Sequence, residues 1–269
     1  MKEKLILTLK IIAILAIVIA IGLICFNAVK AKTEKIQNPI VTLEIENYGN
    51  VKIELYPEYA PNTVANFIKL VQAGYYNEKV VYGEDDLCLY VGRQADGTID
   101  EPTLSKIDSS IESGSEADTK YQIFGEFVAN GYEKNTLRHE KGIVSMIRSD
   151  YTQQMSTLSE ESYNSATTQI GVIMNDEEGR NLNGLYAAFG KITEGLDIVE
   201  KIYNEAIIEE KTEEEASSSS IDAYANKPVI KNATVDTFGV DYGVPETLEY
   251  FDYQAYMTDL INQYYSSES

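Results

Sequence analysis

From Leu5 to Phe26 the chain reads LILTLKIIAILAIVIAIGLICF, apolar except for Thr8 and Lys10. At a helical rise of about 1.5 Å per residue, such a run crosses a hydrocarbon layer of about 30 Å, so it divides the molecule before any other feature is read. The expected organisation is a cytoplasmic N-terminus at 1–4, a transmembrane anchor at 5–26, a linker at 27–37 and a soluble part beyond. A cleaved signal peptide is the competing reading, but its apolar region spans about 7–15 residues, and no small-x-small site precedes Lys30. Lys2 and Lys4 flank one end, and Lys30, Lys32 and Lys35 the other, so flanking charge does not choose an orientation. A long acidic domain that crosses regardless of flanking charge favours a single-pass cell-membrane protein with its soluble part extracytoplasmic. The lipid bilayer is then a partner through residues 5–26.

Charge narrows the remaining classes. The 269 residues carry 22 basic and 43 acidic side chains, a net charge of −21. Binding a polyanion needs a basic face that releases counterions, so nucleic acid is excluded as a partner. One histidine, His139, and two cysteines exclude a Cys/His zinc site, and with Cys25 inside the apolar run there is no disulfide framework.

Beyond the anchor, Val41, Leu43 and Ile45, then Val51, Ile53 and Leu55, alternate at period two around a turn at Asn47–Asn50, which predicts a β-hairpin. Pro61 opens a helix whose Val64, Phe67, Ile68 and Val71 share a face, and Gly74 closes it. Short apolar runs at Leu87–Val91, Gly142–Ile147, Thr168–Met174 and Tyr186–Ile192 predict further strands. Thr193 is placed to cap a second helix carrying Leu196, Val199 and Ile202, and Pro228–Phe238 reads as a last strand. Many strands and few helices predict a mostly-β barrel or sandwich over 38–239. Polar insertions at about 98–119 and 205–226 read as solvated loops. The tyrosine-rich tail, 240–269, predicts an amphipathic helix packed on its own domain or on an envelope protein partner.

Five ordered blocks resemble the cyclophilin family of peptidyl-prolyl isomerases. They are GNVKIELYPEYAPNTVANFIKLVQAGYY (Gly49–Tyr76), the GEF element at Gly125, Glu126 and Phe127, HEKGIVSMIRS (His139–Ser149), NSATTQIGV (Asn164–Val172) and LNGLYAAFGKITEGLDIVEKI (Leu182–Ile202). The resemblance implies an eight-stranded antiparallel β-barrel closed by two α-helices, no cofactor, no metal, and proline-containing polypeptide segments as ligands. Family members hold the proline ring in an apolar pocket and point an arginine at the prolyl amide, weakening the resonance behind a rotation barrier of about 18–20 kcal/mol.

Ungapped alignment puts Val81, Tyr82 and Gly83 at the family's phenylalanine-histidine-arginine motif, so glycine holds the arginine position; a one-residue slip would put Tyr82 there instead. Cys88, Leu89, Tyr90, Val91 and Gly92 fall on phenylalanine-methionine-x-glutamine-glycine. The implied substrate groove comprises Tyr82, Gly83, Cys88, Leu89, Val91, Ile147, Arg148, Gln169, Gly171, Leu182 and Tyr186. Gln169 is retained, Gly171 replaces the phenylalanine flooring the proline pocket, and Asn181 replaces a frequent tryptophan. Arg148 is the candidate substitute for the missing arginine, with Arg93 next, and His139 reads as structural. The expected function is a membrane-anchored prolyl isomerase of low activity that assists folding of exported proteins. The alternative is a catalytically silent peptide-binding or scaffold module of the cell envelope. A third reading has Tyr82, Tyr90 and Tyr186 reshape the groove for a different ligand.

Overall fold

The alternation read at Ile40 forms two antiparallel strands, β1 (Ile40–Ile45) and β2 (Gly49–Leu55), paired from Ile40 opposite Glu54 to Ile45 opposite Gly49. Their six period-two apolar residues are all buried. The intervening turn needs positive φ at Asn47 (64°) and Gly49 (120°), conformations that asparagine and glycine adopt at low cost. The computed structural model describes residues 19–21, 37–83, 85–207 and 227–267.

Helix α1 (Pro61–Gln72) starts with proline where no intrahelical N–H is needed, and buries Val64, Phe67, Ile68, Leu70 and Val71. It ends in a Schellman motif: the Gly74 N–H donates to the Val71 carbonyl at 3.0 Å and the Tyr75 N–H to that of Leu70 at 3.0 Å. The elements that follow are β3 (Val80–Gly83), β4 (Cys88–Arg93), β5 (Tyr121–Gln122), β6 (Ile143–Met146), α2 (Ser159–Tyr163), β7 (Ile170–Ile173), α3 (Asp176–Gly179) and β8 (Ala188–Glu194). Then come α4 (Leu196–Ile207), β9 (Ile230–Asp236), β10 (Leu248–Glu249) and α5 (Tyr253–Ser267).

Eight strands form one antiparallel sheet in the order β3-β4-β7-β6-β8-β2-β1-β9. Its two ends meet: Val80 bridges Val229, and the Val81 N–H donates to the Pro228 carbonyl at 2.8 Å. The sheet is therefore a nearly closed barrel, and closure removes exposed edges. α1 packs on β9, and α4 on β2 and β3. Phe67 sits between Tyr76 and Phe189 at ring separations of 5.1 and 5.2 Å.

Three sequence expectations change here. Thr193 lies inside β8, its hydroxyl donating to the Lys52 carbonyl at 3.4 Å, and Gly195 at φ 83° makes the turn into α4. The insertion at 98–119 is pinned: Lys79 Nζ lies 2.7 Å from Asp100 Oδ2, and Ile107 is buried in the main core. The tail is only partly the expected amphipathic helix, because residues 241–252 form no helix and carry just the short strand β10 before α5 starts, and Leu260, Ile261, Tyr264 and Tyr265 are exposed. The anchor reading at 5–26 lies outside the described residues apart from a helical Ile19–Ile21, as do the linker up to residue 36 and the insertion beyond Ile207. Among the described residues no helix is long and apolar enough to cross a membrane.

Candidate functional site

Strand pleating sends alternate side chains to opposite faces. In β3 and β4 it turns Val81, Leu89 and Val91 into the main core, while Cys88 and Tyr90 join a second apolar cluster on the outer face with Ile143, Ile173, Ala188 and Leu182. Ladder pairing places Tyr82 opposite Tyr90, Tyr90 opposite Gly171, Gly171 opposite Ser145 and Ser145 opposite Ala188. One row of residues thus crosses β3, β4, β7, β6 and β8. Tyr82 stacks on Tyr90, ring centroids 5.6 Å apart with planes 24° from parallel.

This geometry corrects part of the sequence assignment. Leu89 and Val91 are core residues, and Gly83 shares the side of β3 taken by Val81. Tyr82 is the β3 residue that reaches Gln169, whose Nε2 donates to the Tyr82 hydroxyl oxygen at 3.0 Å. The ungapped alignment is therefore one residue out of step with the pleat, and a one-residue slip reverses every side chain's face. Arg93 Nε donates to the same hydroxyl at 2.9 Å, and its Nη1 to the Gly97 carbonyl at 2.9 Å. A register shift between Val80 and Val81 sets Val80 opposite Arg93, with Gly92 at φ 132°; this bulge brings Arg93 to the outer face.

The position of the missing phenylalanine is filled from elsewhere. A β-carbon on Gly171 would meet Ile147 Cδ1 at 2.9 Å and Cys88 Sγ at 3.2 Å. Burial pushes the Cys88 thiol up to about 12, so it is packing and not a nucleophile. Ile147, Arg148 and Gln169 line a cleft of about 90 Å³ together with Ile99, Glu101 and Thr168. Burial raises the Glu101 carboxyl above its ordinary range, opposed by the charge of Lys120.

Arg148 borders this cleft in an aromatic clasp. Its guanidinium carbon lies 4.4 Å from the Tyr186 ring centroid, 5.1 Å from Tyr163 and 5.7 Å from Phe127. Nε donates to the Leu185 carbonyl and Nη1 to that of Ser149, each at 3.2 Å. Planar guanidinium stacks well on ring faces, so the clasp fixes the cation's orientation.

His139 and Glu126 serve the scaffold. The His139 ring Nδ1 meets Asn183 Oδ1 at 3.2 Å and Nε2 meets Ser145 Oγ at 3.0 Å, with histidine and serine both buried. Burial lowers the imidazole's affinity for a second proton. Glu126 accepts the N–H groups of Asn62 (3.0 Å) and Thr63 (2.7 Å), capping α1 from a distant loop. Among the described residues no three His, Cys, Asp or Glu side chains are grouped to hold a metal ion. The sequence reading names Tyr90 only in its third reading and misses the clasp of Phe127 and Tyr163 around Arg148; alternation with Tyr82 across the hairpin was the available signal for setting Tyr90 in this row.

The family model for cyclophilin-type peptidyl-prolyl cis-trans isomerases matches residues 40–233. The chain belongs to the cyclophilin family. Peptidyl-prolyl cis-trans isomerase B of Bacillus subtilis is 26% identical over 166 residues, covering 62% of this chain and 92% of that protein. The Escherichia coli protein of the same name is 28% identical over 162 residues, 58% of this chain and 79% of that one. Peptidyl-prolyl cis-trans isomerase-like 2 of Rhizopus delemar is 26% identical over 170 residues, 63% of this chain but only 26% of that longer protein. Among solved structures, a Cryptosporidium parvum cyclophilin crystallised in the presence of the dipeptide Ala-Pro has a TM-score of 0.47 at 19% identity, covering 73% of this chain and 98% of that one.

Proposed function

We propose that this cyclophilin domain is held at the cell membrane by residues 5–26, with its soluble part extracytoplasmic, and binds proline-containing segments of exported polypeptides in the cleft lined by Ile147, Arg148 and Gln169, beside the buried Tyr82. Its isomerase activity is low. The observation that carries this reading is the Tyr82–Gln169 contact: glutamine is kept beside the cleft, while β3 holds a buried phenol, engaged by Gln169 and Arg93, in place of a guanidinium. A tyrosine hydroxyl is a weak donor to an amide losing its resonance, and one lost electrostatic contact of this sort costs about two to three powers of ten in rate. Arg148, clasped at the cleft, is the candidate for a substitute role, with Arg93, bonded to the Tyr82 hydroxyl, next.

The test is NMR exchange on a short Ala-Pro peptide with the full chain and with Arg148→Ala and Tyr82→Arg. Weak acceleration by the wild type, lost in Arg148→Ala and raised in Tyr82→Arg, supports the reading. Wild-type exchange as fast as that of an ordinary isomerase, or no response of the peptide at all, overturns it.

A second reading is favoured by the filling of Gly171's space. Ile147 and Cys88 occupy the volume of the family's aromatic pocket floor and leave no ring there for a proline to rest on, which suits a silent module that grips extended chain or an envelope partner. The exposed Leu260, Ile261, Tyr264 and Tyr265 of α5 offer that partner an apolar face.

A further inference from the structure

The chain beyond β9 is fastened to the domain at successive points. Asn62, in the first turn of α1, grips Glu246 twice: its Nδ2 donates to the carbonyl at 2.9 Å and its Oδ1 accepts the N–H at 2.7 Å. β10 then pairs with β5, Leu248 opposite Gln122 and Glu249 opposite Tyr121. Gln122, itself buried, accepts the Phe251 N–H through Oε1 at 3.2 Å. The Lys120 ammonium lies 5.0 Å from the Tyr250 ring centroid.

The last fastening reaches the cleft. Tyr253 stacks on Tyr151 with centroids 4.9 Å apart and planes 5° from parallel, and Phe251 meets the Tyr151 ring at a steep angle at 5.5 Å. Tyr151 belongs to the segment 147–165, whose two ends supply Ile147, Arg148, Ser149 and Ser165 to the cleft wall. Its N–H donates to Ser162 Oγ at 2.9 Å, and that of Ser149 to Ser165 Oγ at 2.8 Å, so the ring's position is passed to both ends of the segment. Within 148–165 only Leu158 and Ser162 are buried. A segment with so little buried apolar surface opens easily unless something outside holds it.

We infer that residues 241–253 are a strap that holds the cleft wall, with Tyr253 as the positioning residue acting through Tyr151. The strap sets the shape of the cleft from outside the barrel, so the tail and the ligand are coupled. The effect on ligand rests on the peptide-binding reading above; the hold on the wall does not.

Hydrogen exchange of the detergent-solubilised full chain, with NMR titration of an Ala-Pro peptide, tests both parts. Tyr253→Ala removes a stacking contact of a kind that accounts for roughly a threefold to tenfold change. Exchange across 147–165 should rise by that factor with β6 and β7 unchanged, and peptide affinity should fall in parallel. Tyr253→Phe should restore both, because the stack needs the ring and not the hydroxyl. Tyr151→Ala should reproduce the effect, and the double variant should add nothing further. Unchanged exchange across 147–165 in Tyr253→Ala overturns the strap, and raised exchange with unaltered affinity overturns its coupling to ligand. If the wild type takes no peptide, the binding reading fails while the exchange data still decide the strap.

Discussion

Ile147 Cδ1 lies 2.9 Å from the point where Gly171 would carry a β-carbon, so the two residues share one volume on the outer face of β7. Neither is explained alone: a bulkier residue at 171 would need a smaller one at 147.

The first prediction follows from that shared volume. Gly171→Phe alone should destabilise the domain by about 1–3 kcal/mol through overpacking. Ile147→Ala should relieve most of the cost, giving a coupling well outside additivity. Urea denaturation of the two single variants and the double variant measures it. If the aromatic floor limits ligand binding, the double variant should also hold an Ala-Pro peptide more tightly than the wild type.

The Tyr82 hydroxyl takes hydrogen bonds from Arg93 and from Gln169 at once. Tyr82→Phe leaves both donors to find other acceptors and should cost about 1–3 kcal/mol, with the slope of the urea transition unchanged. Gln169→Leu should cost less, because Arg93 keeps the hydroxyl.

The barrel was legible in the sequence because its signals are local and repeated: period-two apolar residues at Val41–Leu55, the proline and glycine that bound α1, and the ordered motif blocks. The site was legible only in outline. Gln169, Arg148, Ile147 and Gly171 were placed near one another, but register at the β3–β4 hairpin depends on a bulge at Gly92 that pattern alone does not locate. The misplacement of Gly83, Leu89 and Val91 follows from that single step. The strap escaped notice because it rests on tertiary stacking between Tyr151 and Tyr253, which neither segment announces by its own periodicity.

His139, the chain's one histidine, makes stability depend on pH on the acid side of neutrality. Burial lowers its folded pKa below the ordinary 6.5, so the unfolded chain takes up the proton first. Stability is therefore full above pH about 6.5 and falls as the pH drops below it, by at most about 1.4 kcal/mol per pH unit, until the folded pKa is passed. Urea denaturation at pH 7.5 and 5.5 should show the drop in the wild type and a smaller one in His139→Asn.

α1 has no acidic residue in its first turn, and Ala60 offers its N-terminus no side-chain cap. Glu126 supplies both the acceptors and the negative charge from 64 residues away in sequence. Two N–H groups, that of Thr63 buried and that of Asn62 partly so, depend on this one carboxylate, and the helix N-terminus favours its charge. Burial nonetheless lifts the Glu126 pKa, the desolvation outweighing the N–H of Thr63 and of Asn62. Glu126→Ala should therefore cost about 1–3 kcal/mol, more than a surface cap would. Glu126→Gln, which keeps an oxygen acceptor but sets an NH₂ against the second N–H, should fall between. Hydrogen exchange distinguishes a local fault from a global one. If the carboxylate acts as the cap, the first turn of α1 around Asn62 and Thr63 should lose protection before the barrel strands do. Equal loss in α1 and β6 would instead make Glu126 a general packing residue of the domain.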